Sequence, residues 1–178
     1  ILLLLVLGIL MYILVKIWAP AISEIADNTI CKLSVIMKTK TKFFGKESPM
    51  GLVCSRIQMK ITKKDNANEK LAKALYNCWW KMGEGKLDPF GEWGFIKGKT
   101  RCVVCSEIGF EDGVEVKGLI NYLSETKIPR KEITYSEYLN TKLSGIDSLD
   151  TTRNYAVVFG GVKHADLFKV VKAAHEGL

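Results

Sequence analysis

The chain has 178 residues, 48% hydrophobic and 25% charged, with 26 lysines and arginines against 19 acidic residues for a net charge of +7. That composition excludes a disordered or low-complexity protein, and the length suits one domain with an added segment. The positive balance would attract nucleic acid or anionic lipid, but no arginine-rich helix or RNA-binding aromatic signature accompanies the lysines, so no nucleic-acid partner is expected.

The added segment comes first. Residues 1–15, ILLLLVLGILMYILV, carry no charged side chain, and the apolar run continues past Lys16 to Ile22. A helix over residues 1–22 is about 33 Å long at ~1.5 Å per residue, enough to cross a hydrocarbon core. Lys16 and Trp18 fall near one end, where an ammonium snorkels and an indole suits the interface. Residues 1–28 are expected to form an apolar membrane or assembly helix. Its key positions are Ile1, Leu5, Leu10, Tyr12, Leu14, Trp18 and Pro20, with Pro20 kinking it. Two other readings compete: a signal peptide ending at Ala19-Pro20-Ala21, and a buried core helix. The chain opens on Ile1 with no Met and no basic segment, which fits either trimmed numbering or a leader cut just before the run.

Residues 29–178 read as an outer domain. Cys31, Leu33, Val35 and Met37 alternate with Lys32, Ser34 and Lys38, which predicts a strand. A turn at residues 45–51 precedes a second strand, where Ile57, Met59 and Ile61 alternate with polar residues; the two form a hairpin. Lys38, Lys40, Lys42 and Lys46, and then Lys60, Lys63 and Lys64, read as solvated strand faces that keep an edge from aggregating.

Residues 65–82 predict a helix. Asn66 with Glu69 resembles a capping box, Leu71, Leu75, Cys78, Trp79 and Met82 share one face, Lys70, Lys73, Asn77 and Lys81 lie off it, and Gly83 caps the end. Next come a strand over residues 100–110, a helix over 114–125, a short helix over 134–143 and a buried strand over 155–159. A turn at Gly160-Gly161 leads to a last amphipathic helix over 164–175, through Leu167, Val170, Val171 and Ala174. Strands and helices are mixed, so the fold class is α+β.

The residue types that could carry chemistry concentrate in CWWKMGEGKLDPFGEW, residues 78–93. Gly83-Glu84-Gly85-Lys86 lacks the Ser or Thr, the preceding strand and the following helix of a phosphate-binding loop. Glu84, Asp88 and Glu92 are carboxylates in an aromatic loop, where apolar surroundings raise a pKa, but loop carboxylates commonly bind nearby backbone amides. The stretch reads as a packed corner, with Trp79, Trp80 and Trp93 beside Phe90 and Phe95. Cys102 and Cys105 form a CxxC, yet within a strand the two point to opposite faces and do not bridge easily. Zinc would need two further ligands that no second motif supplies. The five cysteines Cys31, Cys54, Cys78, Cys102 and Cys105 therefore read as two bridges and one free thiol: Cys31 with Cys54, and Cys78 with either Cys102 or Cys105. No cofactor and no metal is expected.

Two resemblances add to this. Cys78-Trp79, residues 83–88 (GEGKLD), residues 102–106 (CVVCS) and residues 133–139 (ITYSEYL) are similar to a group of uncharacterised single-span, cysteine-containing surface proteins of small-genome archaea. That resemblance implies a membrane-anchored outer domain at the cell surface and no named activity. Residues 1–28, an apolar helix with a proline near its twentieth position, resemble the polymerising helix of type IV pilin-like proteins. Leu5 stands where bacterial members carry glutamate, and Lys16 places a charge inside the helix bundle with Glu24 as a distant partner. The resemblance implies a non-enzymatic subunit that starts in the membrane and assembles with copies of itself into an extracellular filament. The alternative expectations are a single-span accessory subunit and a thiol-redox protein using Cys102 and Cys105.

Overall fold

The computed structural model describes residues 2–40, 51–90, 101–140, 147–162 and 165–172. The fold is α+β. A long helix, α1 (Leu2–Lys40), precedes strand β1 (Ile57–Ile61), helix α2 (Ala67–Lys81) and strand β2 (Arg101–Phe110). Then come β3 (Val116–Lys117), α3 (Leu119–Glu125), α4 (Tyr135–Leu139), β4 (Ser148–Leu149), β5 (Tyr155–Val162) and β6 (Ala165–Lys172).

The main sheet has the order β1-β2-β5-β6, with β1 parallel to β2 and the other neighbours antiparallel. A parallel pair needs a crossover connection, and α2 supplies it. Leu71, Leu75, Cys78 and Met82 of α2 join Ile61, Ile108, Val157 and Phe159 of the sheet in one core. Each fully buried large apolar side chain there contributes roughly 1.5–3 kcal/mol. The small sheet of β3 and β4, and the helices α3 and α4, cover the flank of α2. Residues 114–118, expected to open a helix, instead contain the strand β3 at Val116–Lys117, and α3 begins only after Gly118.

Asn66 caps the start of α2, its Oδ1 accepting from the Glu69 N–H at 3.2 Å, which is one half of the expected capping box. Its end is a Schellman arrangement. The Gly83 N–H donates to Trp80 O at 3.2 Å and the Glu84 N–H to Trp79 O at 3.0 Å, which satisfies carbonyls the helix leaves open. Gly83 sits at φ +92°, and a Cβ there would lie 2.6 Å from Leu87 Cβ. Thr134 and Glu137 make a reciprocal capping box at α4, with the Thr134 N–H on Glu137 Oε2 at 2.7 Å.

Three sequence expectations are corrected. Residues 31–37 are not a strand paired with residues 57–61; α1 runs on through residue 28 to Lys40, and β1 pairs with β2 instead. Lys38 and Lys40 therefore stand in the last turn of a helix, where cations complement its dipole. Gly160 and Gly161 do not turn the chain; they lie inside β5, opposite Leu167 and Asp166. Residues 165–172 form the strand β6 rather than a helix, because Phe168, Val170 and Val171 suit a pleated surface and find a partner strand in β5. The expected turn at residues 45–50, together with Trp93 and Phe95, lies outside the described residues.

Replacing Gly83 with Ala places a side chain in the left-handed region and against Leu87, so we expect a loss of about 1–3 kcal/mol. Urea unfolding of Gly83→Ala beside the parent chain measures it.

Candidate functional site

Residues 6–13 of α1 are exposed on every side of the helix, from Ile13 at 48% to Tyr12 at 64%. Leu10 and Tyr12, both expected contact positions, are among them. Leu5, Leu14, Trp18 and Pro20 fall on the same helix, and Ile1 lies outside the described residues. Lys16 is exposed, its ammonium 5.8 Å from the Tyr12 ring.

The expected membrane anchor is not found. Among the described residues no helix is long and apolar enough to cross a membrane. Beyond Lys16, the helix carries Glu24, Asp27 and Lys32 and packs on the domain.

A polar and covalent joint holds the second half of α1 on α2. Cys31 and Val35 are buried in the domain core, and Cys31 is disulfide-bonded to Cys54. That bridge links a helix to the segment before β1, not two adjacent strands. The Asn77 amide donates to Glu24 Oε1 at 3.4 Å. Asn28 is buried, and its Oδ1 has no hydrogen-bond partner among the described residues. One turn on, the Lys32 ammonium stands 3.8 Å above the Trp80 ring and 3.6 Å from Glu84 Oε1.

Glu84 is the hub of this joint. It occupies the left-handed region at φ 59°, unusual for a residue with a side chain. The Tyr138 hydroxyl donates to its Oε1 at 2.9 Å, and Lys86 lies 3.6 Å from Oε2. Tyr138 stacks on Tyr76 at 4.9 Å, and Lys131 covers the Tyr138 ring at 4.1 Å. Burial pushes the Glu84 carboxyl up, but the Tyr138 hydrogen bond and the charges of Lys32, Lys86 and Lys131 outweigh it and hold the group below its ordinary value. The same contact, with burial as the larger cause, raises the Tyr138 phenol well above its usual range. Glu84 thus ties α1, α2 and α4 together, its two carboxyl oxygens engaged by Tyr138, Lys32 and Lys86. Asp88 Oδ1 accepts from the Phe90 N–H at 3.1 Å, a local backbone contact, and Glu92 lies outside the described residues.

Lys81, which the helical pattern placed off the buried face, is buried as well. It is 1% exposed. Its ammonium donates to Cys105 O at 3.3 Å. Cys105 is the extra residue of a β-bulge: Val104 pairs with Val158, and Ser106 with the next residue back, Val157. A bulge leaves one residue outside the regular ladder, and Lys81 supplies a donor to its carbonyl. Burial lowers the Lys81 pKa, opposed by the negative charges of Asp27 and Glu24 on α1.

Cys105 is bonded to Cys78, and Cys102 is free and exposed on β2. The two cysteines of the CxxC are therefore not bonded to each other. The bridges span 23 and 27 residues, and closing loops of that size stabilises by about 3 kcal/mol each in the chain-entropy account. They are compatible with an oxidising compartment. A cleft of about 380 Å³ opens beside the start of α2. Its Asp65 is already taken up by Lys70 at 2.9 Å and by the Thr62 hydroxyl and N–H, and its carboxyl is held at about 2. No group of three or more His, Cys, Asp or Glu among the described residues is placed to hold a metal ion. Compared with known protein families, curated proteins and solved structures, the chain matches none of them.

Two outcomes follow from the joint. Removing the Tyr138 hydroxyl in Tyr138→Phe costs about 1–3 kcal/mol, the range for a hydrogen bond to a charged group. Glu84's depressed pKa contributes stability above its unfolded value that is lost as pH falls through the folded one, so the Tyr138→Phe deficit shrinks in acid. Denaturant unfolding between pH 7 and pH 3 checks both. For Lys81 the sign reverses. Its folded pKa is below its unfolded one, so between the two values the unfolded chain binds more protons and stability rises with pH. The stability difference between the parent and Lys81→Met should therefore shift in the parent's favour as pH climbs from neutral toward 10.5. Paired unfolding curves across that range measure it, and the tyrosines common to both chains cancel.

Proposed function

We propose that the chain is a non-catalytic structural subunit that assembles with copies of itself through the N-terminal half of α1, with the disulfide-bonded domain as its outer body. The observation that carries this is the all-round exposure of residues 6–13. A helix apolar on one stripe is satisfied by one neighbour; a helix apolar all round needs neighbours on several sides. A bundle of like helices supplies them, and a filament is the open-ended form of such a bundle. Each large side chain buried there contributes roughly 1.5–3 kcal/mol, so a few suffice to drive association. The resemblance of residues 1–28 to the polymerising helix of pilin-like proteins supports the same reading. So does the polar chemistry of the domain, where Glu84, Lys81 and Asp65 are each engaged in holding the fold.

The test uses the full-length chain. Electron microscopy and sedimentation at rising concentration should show assemblies larger than a dimer, and Leu10→Lys should abolish them while circular dichroism and disulfide content stay unchanged. A burying site rejects an unpaired ammonium at a cost of several kcal/mol. A parent chain that stays monomeric, or a Leu10→Lys chain that assembles as well as the parent, overturns the proposal.

A further inference from the structure

Glu24, Asn28, Cys31 and Val35 lie along the side of α1 that meets the domain. Two positions further round each step, Ala26, Ile30 and Leu33 face the other way and are exposed, Ile30 at 49% and Leu33 at 53%. Counting back from them in alternating steps of three and four passes the exposed Ser23 and then position 19, and reaches Lys16, Tyr12 and Ile9, these last three all exposed. Steps of three and four are the pattern one helix presents to another in a coiled coil. Along this outer seam of α1 the same spacing thus relates the exposed apolar residues Ile9 and Tyr12 of the N-terminal half to Ile30 and Leu33 beside the domain, with Lys16 and Ser23 between them.

Lys16 is the charged residue on this seam. In a parallel pair in register, two Lys16 ammoniums would meet within an apolar strip, which is costly without a counter-charge. Asp27 is exposed, eleven residues further along and only about 20° round the helix from Lys16. Its other charged neighbours are Glu24, one turn earlier on α1, and the buried Lys81 on α2. Beside Asp27 the seam holds Ala26, small enough to leave room for a lysine stem.

Resting on the reading that α1 assembles with its own kind, we infer that neighbouring copies pack parallel with an axial offset of about 16 Å, eleven residues at ~1.5 Å each, so that Lys16 of one copy lies beside Ala26 and Asp27 of the next. The seam from Ile9 to Leu33 is the contact. An offset contact of this kind is heterologous: each copy offers Lys16 to one neighbour and Asp27 to another, so the array does not close. An antiparallel pair would also match the two charges, but it closes at two copies and leaves the remaining sides of residues 6–13 in water.

Zero-length cross-linking of the full-length chain with a water-soluble carbodiimide tests this. Light and heavy isotope-labelled copies are mixed at a concentration where particles form. Within one helix the two residues are separated by about 16 Å, out of reach of a direct amide, so a Lys16–Asp27 link reports two copies. The expected result is that link in peptides joining a light to a heavy chain, found in particles larger than a dimer and lost in Asp27→Asn. Particles without the link, or the link only in a closed dimer, overturn the offset while leaving helix-driven assembly standing. A chain that stays monomeric at every concentration overturns both.

Discussion

The β-bulge at Cys105 is the constraint on which the rest of the domain depends. A regular strand keeps one parity on one face. If β2 held that parity from Val103 and Cys105, Glu107 and Gly109 would follow them inward, and Ile108 and Phe110 would face away. The extra residue between Val104 and Ser106 changes phase, so that Val103 and Cys105 face α2 from one half of the strand while Ile108 and Phe110 do so from the other. One inserted residue thus lets the same strand supply both a disulfide and an apolar core. It also leaves the Cys105 carbonyl needing a donor, and that need explains a lysine buried at the end of α2.

Burying Lys81 has a consequence for α1. An ammonium in a core is tolerated when neighbouring charges and acceptors offset its lost hydration. Here the nearby negative charges come from Asp27 and Glu24, on α1. The long helix is therefore held by several kinds of force at once: a covalent link at Cys31, buried apolar contact at Val35, the Lys32–Trp80–Glu84 cluster, and the field of Lys81. The disulfide and the Lys32–Trp80–Glu84 cluster are directional, unlike the apolar contact at Val35, and they fix which face of α1 points outward.

That outward face accounts for the largest misreading of the sequence. Cys31, Leu33, Val35 and Met37 alternate as a strand does. In the helix, Cys31 and Val35 are four residues apart and face the core, while Leu33 and Met37 are four apart and exposed on the other side. A helix apolar on two opposite faces produces a period-two signal. The alternation was real, and its cause was two-sidedness. By contrast α2 was legible, because a single apolar face, an N-cap asparagine and a C-terminal glycine all agree there; only Lys81 escaped, since nothing local marks a lysine that will meet a bulge carbonyl. The bulge itself is a product of pairing with β5 and has no local signature. The strand β6 was missed because Leu167, Val170 and Val171 also fit helical spacing, and the partner strand decides between the two. The Glu84 hub brings together residues 32, 84 and 138, so no window of sequence contains it.

The surfaces that remain open differ in what they invite. The edge strand β1 exposes Gln58 and Lys60, and Lys63 and Lys64 follow it into solvent. Charged, short edges of this kind disfavour strand-to-strand association. The helix α1 differs along its outer side, where Ile9, Tyr12, Ile30 and Leu33 are exposed. An association driven by sheet edges would need the lysines removed from water, whereas one driven by α1 removes apolar surface and meets one lysine with one aspartate. The balance of desolvation favours the helix, and the disulfide at Cys31 transmits any load on that helix to the domain through a covalent bond.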